Sequence, residues 1–265
     1  KGYIDAYRAF GEEQYLKTAL KNANFLANTM MQKDGRLNRN YKDGKSVINA
    51  FSDDYALLAE AYIALYEVTF DVKWLDEARK VTHVMIQKYQ TEQGYLFQYN
   101  SINSGQRIPV QYPLAETAMP SGNAAALALL LRIGLYDPMG SFQDNGYQIW
   151  EGLGAYLEQE ASTASGILNA SPYLPQHAYE IVIIGDIADK ATKKMLREAH
   201  QRLLSGTVMA VTSEDPNLHD SWALLEPRPK YDGKVTAYLC QQRLCKLPVT
   251  SPGDFAKQLD ALVPA

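Results

Sequence analysis

The segments YALLAEAYIALYEVTF at residues 55–70 and WLDEARKVTHVMIQKY at residues 74–89 decide the fold class. In the first, nearly every position is apolar or aromatic, and only Glu60 and Glu67 carry charge. A helix of this composition is predicted to be buried on all sides. In the second, the apolar residues that follow Trp74 recur on one stripe and the charged residues lie elsewhere, which predicts an outer helix with one solvent-facing side.

The same two-helix pattern recurs upstream at a constant offset of 59 residues. A fixed offset that spans both helices and loops predicts an internal repeat. A third unit follows, with residues 120–136 as the buried helix and residues 142–160 as the outer one. Each unit is predicted to be a helical hairpin. The matching positions include Tyr7 with Tyr66, Tyr15 with Trp74, Ala19 with Ala78, Gly35 with Gly94, and Leu37 with Leu96.

The pattern changes after Gln176. Residues 179–184, 207–212 and 236–240 read as strands, and residues 188–204 read as a helix. We therefore predict a mainly α protein, with a portion of an (α/α) toroid of helical hairpins over residues 1–176. A small α/β appendage is predicted over residues 177–265.

Composition excludes several classes of protein. Apolar residues make up 46% of the 265 residues and charged residues 21%, which argues against collagen-like, disordered and disulfide-scaffold chains. The net charge of −4 leaves no basic excess for binding nucleic acid. The longest apolar run, residues 124–131, is too short to span a membrane, so we expect a soluble protein with no membrane partner.

The chain starts at Lys1, with neither an initiator Met nor a signal peptide. We therefore expect it to be a piece of a longer, cytoplasmic protein.

An ordered series of motifs carries a family resemblance over nearly the whole chain. It resembles the C-terminal region of the thioredoxin-domain-containing proteins related to spermatogenesis-associated protein 20. The motifs are KDGRL at 33–37, SDDYA at 52–56, LYEVTFD at 65–71, PSGN at 120–123, IVIIG at 181–185 and AYLC at 237–240.

The resemblance implies a fold similar to the six-hairpin toroids of glycoside hydrolases and N-acylglucosamine 2-epimerases, which hold substrate in a funnel at one end of the barrel. Only three hairpins and part of a fourth are present, so the barrel is expected to be incomplete. The resemblance also implies a thioredoxin-like domain in the full-length chain. Two features depart from the family pattern: Glu116, where many relatives carry Asp, and the short segment 161–176, where a fuller inner helix is expected.

Asp53 and Asp54 stand at the start of a predicted inner helix, where the funnel of a toroid opens. A carboxylate there is suited to act as an acid, a base or a sugar ligand. Neighbouring helical residues point about 100° apart, so a second carboxylate must come from elsewhere, and Glu116 is the first candidate. The alternative is that these aspartates only cap the helix, because acidic side chains suit the positive end of its dipole.

The substrate-binding candidates are polar or aromatic groups near predicted helix starts. Ser121, Gly122 and Asn123 offer a hydroxyl, a close backbone approach and an amide, although a Ser beside a Pro also serves as a structural helix start. Tyr55, the loop residue Tyr112 and His177 complete the set. Tyr41 and Tyr95 are further loop tyrosines that suit stacking on a sugar, whereas tyrosines at helical spacing fit the core.

No metal-ligand spacing occurs among the four histidines, so we predict neither a metal nor a cofactor. Cys240 and Cys245 lack the C-x-x-C spacing of thioredoxins. A disulfide, a redox pair and two free thiols are all open, and free thiols are the commoner outcome in a reducing compartment.

Two functions remain open. The first is a carbohydrate-active protein, hydrolase-like or epimerase-like, that binds a sugar or other small polar ligand at the inner-helix starts. The second is a non-catalytic binding or scaffold module that accompanies a thioredoxin-like domain.

Overall fold

A computed structural model of the chain describes residues 1–101, 109–138, 140–214 and 222–262. The described residues form two compact units, one of Lys1–Ile133 with Asp144–Ala170 and one of Gly134–Gln143 with Ser171–Ala265. The predicted division after Gln176 stays a prediction. Within the described ranges, no helix has both the length and the apolar character that crossing a bilayer requires.

The first unit is built from helical hairpins, as the sequence predicts, although the turn of the third hairpin, Gly134–Gln143, belongs to the second unit. Each hairpin pairs an inner helix with an outer one. The pairs are α1 (Gly2–Phe10) with α2 (Glu13–Phe25), α3 (Ser52–Thr69) with α4 (Lys73–Tyr89), and α5 (Gly122–Tyr136) with α6 (Ser141–Gly152), followed by the shorter α7 (Gly154–Glu160) and α8 (Ser165–Leu168). The predicted outer helix at residues 142–160 is divided at Leu153, which two glycines flank.

The inner helix α3 is buried along almost its full length, including Tyr62 and Tyr66 at 0% exposure. The outer helix α4 buries only one stripe, which includes Trp74, Ala78 and Met85. The Tyr62 and Trp74 rings stack at 5.4 Å between the two helices. Removing aromatic and aliphatic surface from water at this interface is the main stabilisation of the hairpin.

The internal repeat is visible in the backbone. Gly35 and Gly94 both adopt left-handed φ angles, 81° and 77°, in loops that follow outer helices. Each glycine donates its N–H to the residue three positions earlier, Gln32 or Thr91. An isolated antiparallel bridge closes each loop, between Met31 and Leu37 in the first hairpin and between Gln90 and Phe97 in the second.

The second unit contains a four-stranded sheet in the order β2, β1, β3, β4. Strands β1 (Tyr179–Ile184) and β2 (Thr207–Thr212) are parallel and are connected through helix α9 (Lys190–His200), whereas β3 (Thr236–Gln241) and β4 (Leu244–Cys245) add antiparallel strands. Helix α10 (Pro252–Asp260) starts at Ser251, whose hydroxyl accepts the Asp254 N–H. β2 is buried at every position, as expected for a strand covered on both faces.

Cys240 and Cys245 form a disulfide across the β3–β4 hairpin. The expectation that free thiols are the commoner outcome is therefore wrong for this pair. The sequence spacing did not reveal the pairing, which depends on a two-residue turn that places the cysteines opposite each other in the ladder. Gln242 and Arg243 form this turn, and both have positive φ angles, 49° and 64°, as in the type I′ turns of tight hairpins.

Candidate functional site

The starts of two inner helices lie side by side in the first unit. A Cβ built on Gly122, the first residue of α5, would lie 3.2 Å from Ser52 Oγ and 3.6 Å from Asp53 Cβ at the start of α3. Any larger residue at position 122 would press against α3. The small residue in the PSGN motif therefore lets the two helix starts approach each other.

The aspartates of the SDDYA motif occupy the first turn of α3. Asp54 Oδ2 accepts the Phe51 N–H at 2.9 Å, and Asp53 Oδ1 accepts the Asp54 N–H at 3.0 Å. Both carboxylates therefore cap the helix, which is the structural role that the sequence left open. Within the described part of the chain, Asp53 Oδ2 and Asp54 Oδ1 accept no hydrogen bond, so each carboxylate keeps one oxygen for a ligand.

Arg39 joins the two aspartates to an aromatic pair. Its Nη1 lies 3.3 Å from Asp54 Oδ2 and 3.8 Å from Asp53 Oδ1, and it donates to the Tyr99 hydroxyl at 3.1 Å. The guanidinium carbon lies 4.9 Å from the centre of the Phe51 ring, which in turn stacks on Tyr99 at 4.3 Å with the planes 8° apart. A cation, two carboxylates and an aromatic stack thus meet at the start of α3.

Burial raises the pKa of Asp54, and the neighbouring Asp53 charge acts in the same direction, whereas the Phe51 N–H and Arg39 oppose the shift. Arg39 keeps a raised pKa because its acidic and phenolic neighbours outweigh the cost of burial. A carboxyl group whose pKa is raised by burial is suited to hold a proton that an ordinary aspartate would lose. Asp54 is therefore the stronger of the two as a candidate acid.

Glu116 has close partners in a different part of the first unit. The Ser165 hydroxyl and the Gly166 N–H each donate to one of its carboxylate oxygens, at the start of α8. Among the described residues, no hydrogen bond or ion pair joins Glu116 to either aspartate. Its role as the partner carboxylate stays a prediction.

Two residues of the PSGN motif have structural partners. Ser121 Oγ accepts the Ala124 N–H at 3.2 Å and so caps α5. Asn123 is 1% exposed, and its amide accepts the Phe97 N–H at 2.7 Å and donates to the Phe97 and Pro113 carbonyls at 3.0 and 2.9 Å. Asn123 therefore ties two segments of the preceding loop to the helix start, and a ligand would have to displace these bonds to reach it.

Tyr55 is also enclosed, with 1% exposure. Its hydroxyl accepts the Leu37 N–H at 2.7 Å, and burial raises its pKa. Its place in the second hairpin matches that of Asn123 in the third, because each takes an N–H from the bridge of the preceding loop. Tyr55 thus holds the loop that carries Arg39 rather than facing outward.

The remaining candidates are accessible. Tyr112 is 44% exposed in the loop before α5, and Tyr41 and Tyr95 are 46% and 51% exposed. His177 lies in the second unit, where Nδ1 is 3.2 Å from the Ser171 carbonyl oxygen. Binding roles for Tyr112 and His177 stay predictions.

Sequence reasoning missed Arg39, Phe51 and Tyr99. Phe51 directly precedes the SDDYA motif, and this was the one available signal. Arg39 and Tyr99 lie in separate loops, 60 residues apart along the chain. Pairing them requires knowing that both loops end at the same helix start, which the repeat alone did not specify.

The amino-acid sequence is similar to those of several curated animal proteins. It is 23% identical to human spermatogenesis-associated protein 20 over 270 residues, which cover 97% of this chain and 34% of that protein. The chain is similar in sequence to spermatogenesis-associated protein 20. The rat protein is 22% identical, and an uncharacterized protein of Caenorhabditis elegans is 26% identical over 275 residues, covering 94% of this chain and 35% of that protein.

The chain spans about a third of the length of these curated relatives. No protein-family model matches it.

Among solved structures, a GH76 α-mannanase from Bacteroides thetaiotaomicron has a TM-score of 0.51 and 12% sequence identity, with 98% of this chain and 66% of that chain covered. At this identity the likeness shows the fold alone. The predicted fold is confirmed: a mainly helical (α/α) toroid portion with a small sheet appendage.

Proposed function

We propose that the first unit binds a carbohydrate at the start of α3, at a site formed by Arg39, Phe51, Asp53, Asp54 and Tyr99, and acts on it as a hydrolase-like or epimerase-like enzyme. The observation that carries the proposal is the contact of Arg39 with both aspartates beside the stacked Phe51 and Tyr99 rings. Sugars present hydroxyl groups around a ring with apolar faces, and this combination of groups is suited to recognise both.

The assigned roles follow from the environment of each group. Asp54, whose pKa is raised by burial, acts as the acid. Asp53 Oδ1 caps the helix and lies 3.8 Å from Arg39 Nη1, whereas Oδ2 accepts no hydrogen bond from the described residues, so Asp53 accepts a sugar hydroxyl through Oδ2. Arg39 holds the two carboxylates in place through its contacts at 3.3 Å with Asp54 and 3.8 Å with Asp53, and its charge partly offsets the raised pKa of Asp54. Glu116 is proposed as the second carboxylate of the reaction.

The test is binding of a sugar panel to the intact chain, followed by turnover of any sugar that binds. The panel contains mannose, glucose, N-acetylglucosamine, N-acetylmannosamine and an α-linked mannan oligosaccharide, the last because the structural neighbour is an α-mannanase. A saturable rise in melting temperature with at least one sugar is expected. If none of these sugars binds, the proposal is wrong.

Variants then separate binding from catalysis. Asp54→Asn keeps the helix cap, since an amide oxygen still accepts the Phe51 N–H, but it removes the acidic proton; turnover should be lost while binding persists. Glu116→Gln should also lower turnover. Asp144→Asn is the matched control, because Asp144 is an exposed aspartate in the first turn of another helix. Equal turnover in wild type and Asp54→Asn would contradict the acid role.

A second function is favoured by a different observation. Both aspartates cap α3, and Glu116 accepts hydrogen bonds from Ser165 and Gly166. All three carboxylates therefore have a structural role. The alternative proposal is a non-catalytic binding or scaffold module for a thioredoxin-like domain of the full-length chain. Sugar binding without turnover of any bound sugar would support this alternative.

A further inference from the structure

The second unit contains two adjoining cavities that are independent of the site described above. Their volumes are about 270 and 140 Å³, and they share four lining residues. The larger is about the size of a small metabolite. The shared residues are Leu135, Pro138, Glu180 and Arg243.

Charged groups of both signs line these cavities. Glu180 lies on the central strand β1 and is only 7% exposed. Arg243 lies in the β3–β4 turn and lines both cavities, and Arg228 lines the smaller one. Arg228 is half-buried, with Nη1 donating to the Leu224 carbonyl at 3.0 Å.

These charges do not neutralise one another by direct contact. Across the described ranges, no ion pair within 4.0 Å involves Glu180, Arg228 or Arg243. A buried charge is usually paired, because removing it from water is costly. Here the carboxylate and the guanidinium groups line the same space while remaining separated.

The pKa shifts of Glu180 and Arg228 have the direction that this arrangement predicts. Burial raises the pKa of Glu180, although the charges of Arg228 and Arg243 and a hydrogen bond from the Arg243 backbone N–H act in the opposite direction. Burial lowers the pKa of Arg228, although Glu180 and Glu226 oppose the shift. For both groups, the free-energy cost of burying the charge exceeds the stabilisation that neighbouring charges provide. A ligand that contacts both groups would therefore stabilise their charged forms.

The walls between the charged groups are apolar. Leu135, Pro138 and Pro175 line the larger cavity, and the amide side chains of Gln143 and Gln242 complete it. An aliphatic group would fill this space and remove apolar surface from water. The required ligand therefore has a positive group, a negative group and a short aliphatic part.

We propose that this cavity is a binding site for a small zwitterion of the α-amino acid class. The ammonium group contacts Glu180, the carboxylate contacts Arg228 and Arg243, and an aliphatic side chain lies against Leu135, Pro138 and Pro175. A guanidinium binds a carboxylate through two parallel hydrogen bonds, and charge-assisted bonds of this kind are strong in a partly buried site.

Three probes that differ by single groups test the proposal on the intact chain. L-Leucine carries both charges, 4-methylpentanoate lacks the ammonium group, and 3-methylbutylamine lacks the carboxylate. Calorimetric titration is expected to show leucine binding and each analogue binding at least ~10-fold more weakly. Failure of L-leucine to bind at millimolar concentration would overturn the proposal. Equal binding of leucine and either analogue would overturn it too, since one charge would then be unused.

Variants assign the two ends of the ligand. Arg228→Gln and, in the exposed turn, Arg243→Gln should each weaken leucine binding by ~10-fold. Glu180→Gln should weaken leucine binding but leave 4-methylpentanoate binding undiminished, which a general loss of structure would not produce. Arg197→Gln, on the exposed side of α9, makes the same charge change and should bind leucine as wild type does. Unchanged leucine binding in both Arg228→Gln and Arg243→Gln overturns the proposal.

Discussion

Arg8 and Glu67 stand 59 residues apart, the offset of the internal repeat, and Arg8 Nη2 lies 2.7 Å from Glu67 Oε2. Equivalent positions of two successive hairpins thus carry opposite charges and pair between inner helices α1 and α3. The third inner helix joins the same cluster, because Arg132 on α5 lies 2.6 Å from Glu67 Oε2 and 2.8 Å from Glu60 Oε2. Arg8, Glu60, Glu67 and Arg132 of three inner helices therefore form one charged network.

The first prediction concerns this network. Arg132→Met would leave Glu60 and Glu67 with fewer cationic partners in a buried setting, and we expect a loss of about 3–5 kcal/mol in the free energy of unfolding. Urea denaturation followed by circular dichroism measures it. The control is Arg36→Met, which breaks the exposed pair with Asp34 and should change little. A loss for Arg132→Met no larger than that for Arg36→Met would contradict the prediction.

Asn123 provides a second prediction. Asn123→Ala removes three hydrogen bonds and leaves buried groups of Phe97 without partners, so we expect a loss of about 3 kcal/mol in unfolding free energy. Limited proteolysis of the loop before α5 should accelerate as well. Asn24→Ala, which removes one exposed bond to the Leu20 carbonyl, should leave both measurements near wild type.

Gly35 tests the loop of the first hairpin. Its φ angle is 81°, and a Cβ at this position would lie 2.7 Å from Val84 Cγ2. Gly44 has a similar φ of 77° but open space around the Cβ position. Both Gly→Ala changes carry a backbone cost of about 1 kcal/mol, and Gly35→Ala should lower the melting temperature further because of the added clash. Adding Val84→Ala should recover part of the Gly35→Ala loss; no recovery would argue against the clash.

The raised pKa of Asp54 gives a pH-dependent prediction. The folded state binds this proton more tightly than the unfolded state, so the contribution of Asp54 to stability falls as pH rises from the ordinary carboxyl pKa to the raised folded value. Asp54→Asn cannot lose a proton, and its stability relative to wild type should therefore increase with pH across that window and then level off. Parallel pH series of urea denaturation for wild type, Asp54→Asn and the control Asp144→Asn would show the effect. An opposite slope would contradict the shift.

The disulfide gives the fifth prediction. Cys240 and Cys245 close a loop of only a few residues, so its removal should cost about 2 kcal/mol by the chain-entropy relation. Mass spectrometry of the unreduced, alkylated chain should show no label on either cysteine. Dithiothreitol should lower the melting temperature of wild type but not of a variant with Cys240→Ser and Cys245→Ser. Labelling of both cysteines without reductant would show that the bond is absent.

The sequence predicted the fold well where the spacing of apolar residues within a single segment defines a helix or strand. The uniformly apolar segment at residues 55–70 and the one-sided segment at residues 74–89 became α3 and α4, because burial pattern follows directly from helical spacing. The repeat, the three long strands of the sheet and the toroid class were also predicted. The division of the third outer helix at Leu153 was not, since the apolar pattern continues through it.

The candidate site could be predicted only in part. Asp53 and Asp54 were found because they precede an apolar run, but whether such residues cap the helix, bind a ligand or do both depends on neighbours from distant loops. Arg39 and Tyr99 are those neighbours. The hydrogen-bond partners of Glu116 and Asn123 could not be predicted either, because they also lie far away in the sequence.

The sequence by itself determined which helices are inner and which are outer, how often the hairpin repeats and where the sheet segment begins. These properties depend on the order of apolar and polar residues along a single segment. Tertiary structure alone decided that Arg8, Glu60, Glu67 and Arg132 share one network, that Arg39 contacts both aspartates, and that Glu180 lines a cavity with Arg228 and Arg243. Such contacts join residues far apart in the chain, and they form only when whole elements pack together.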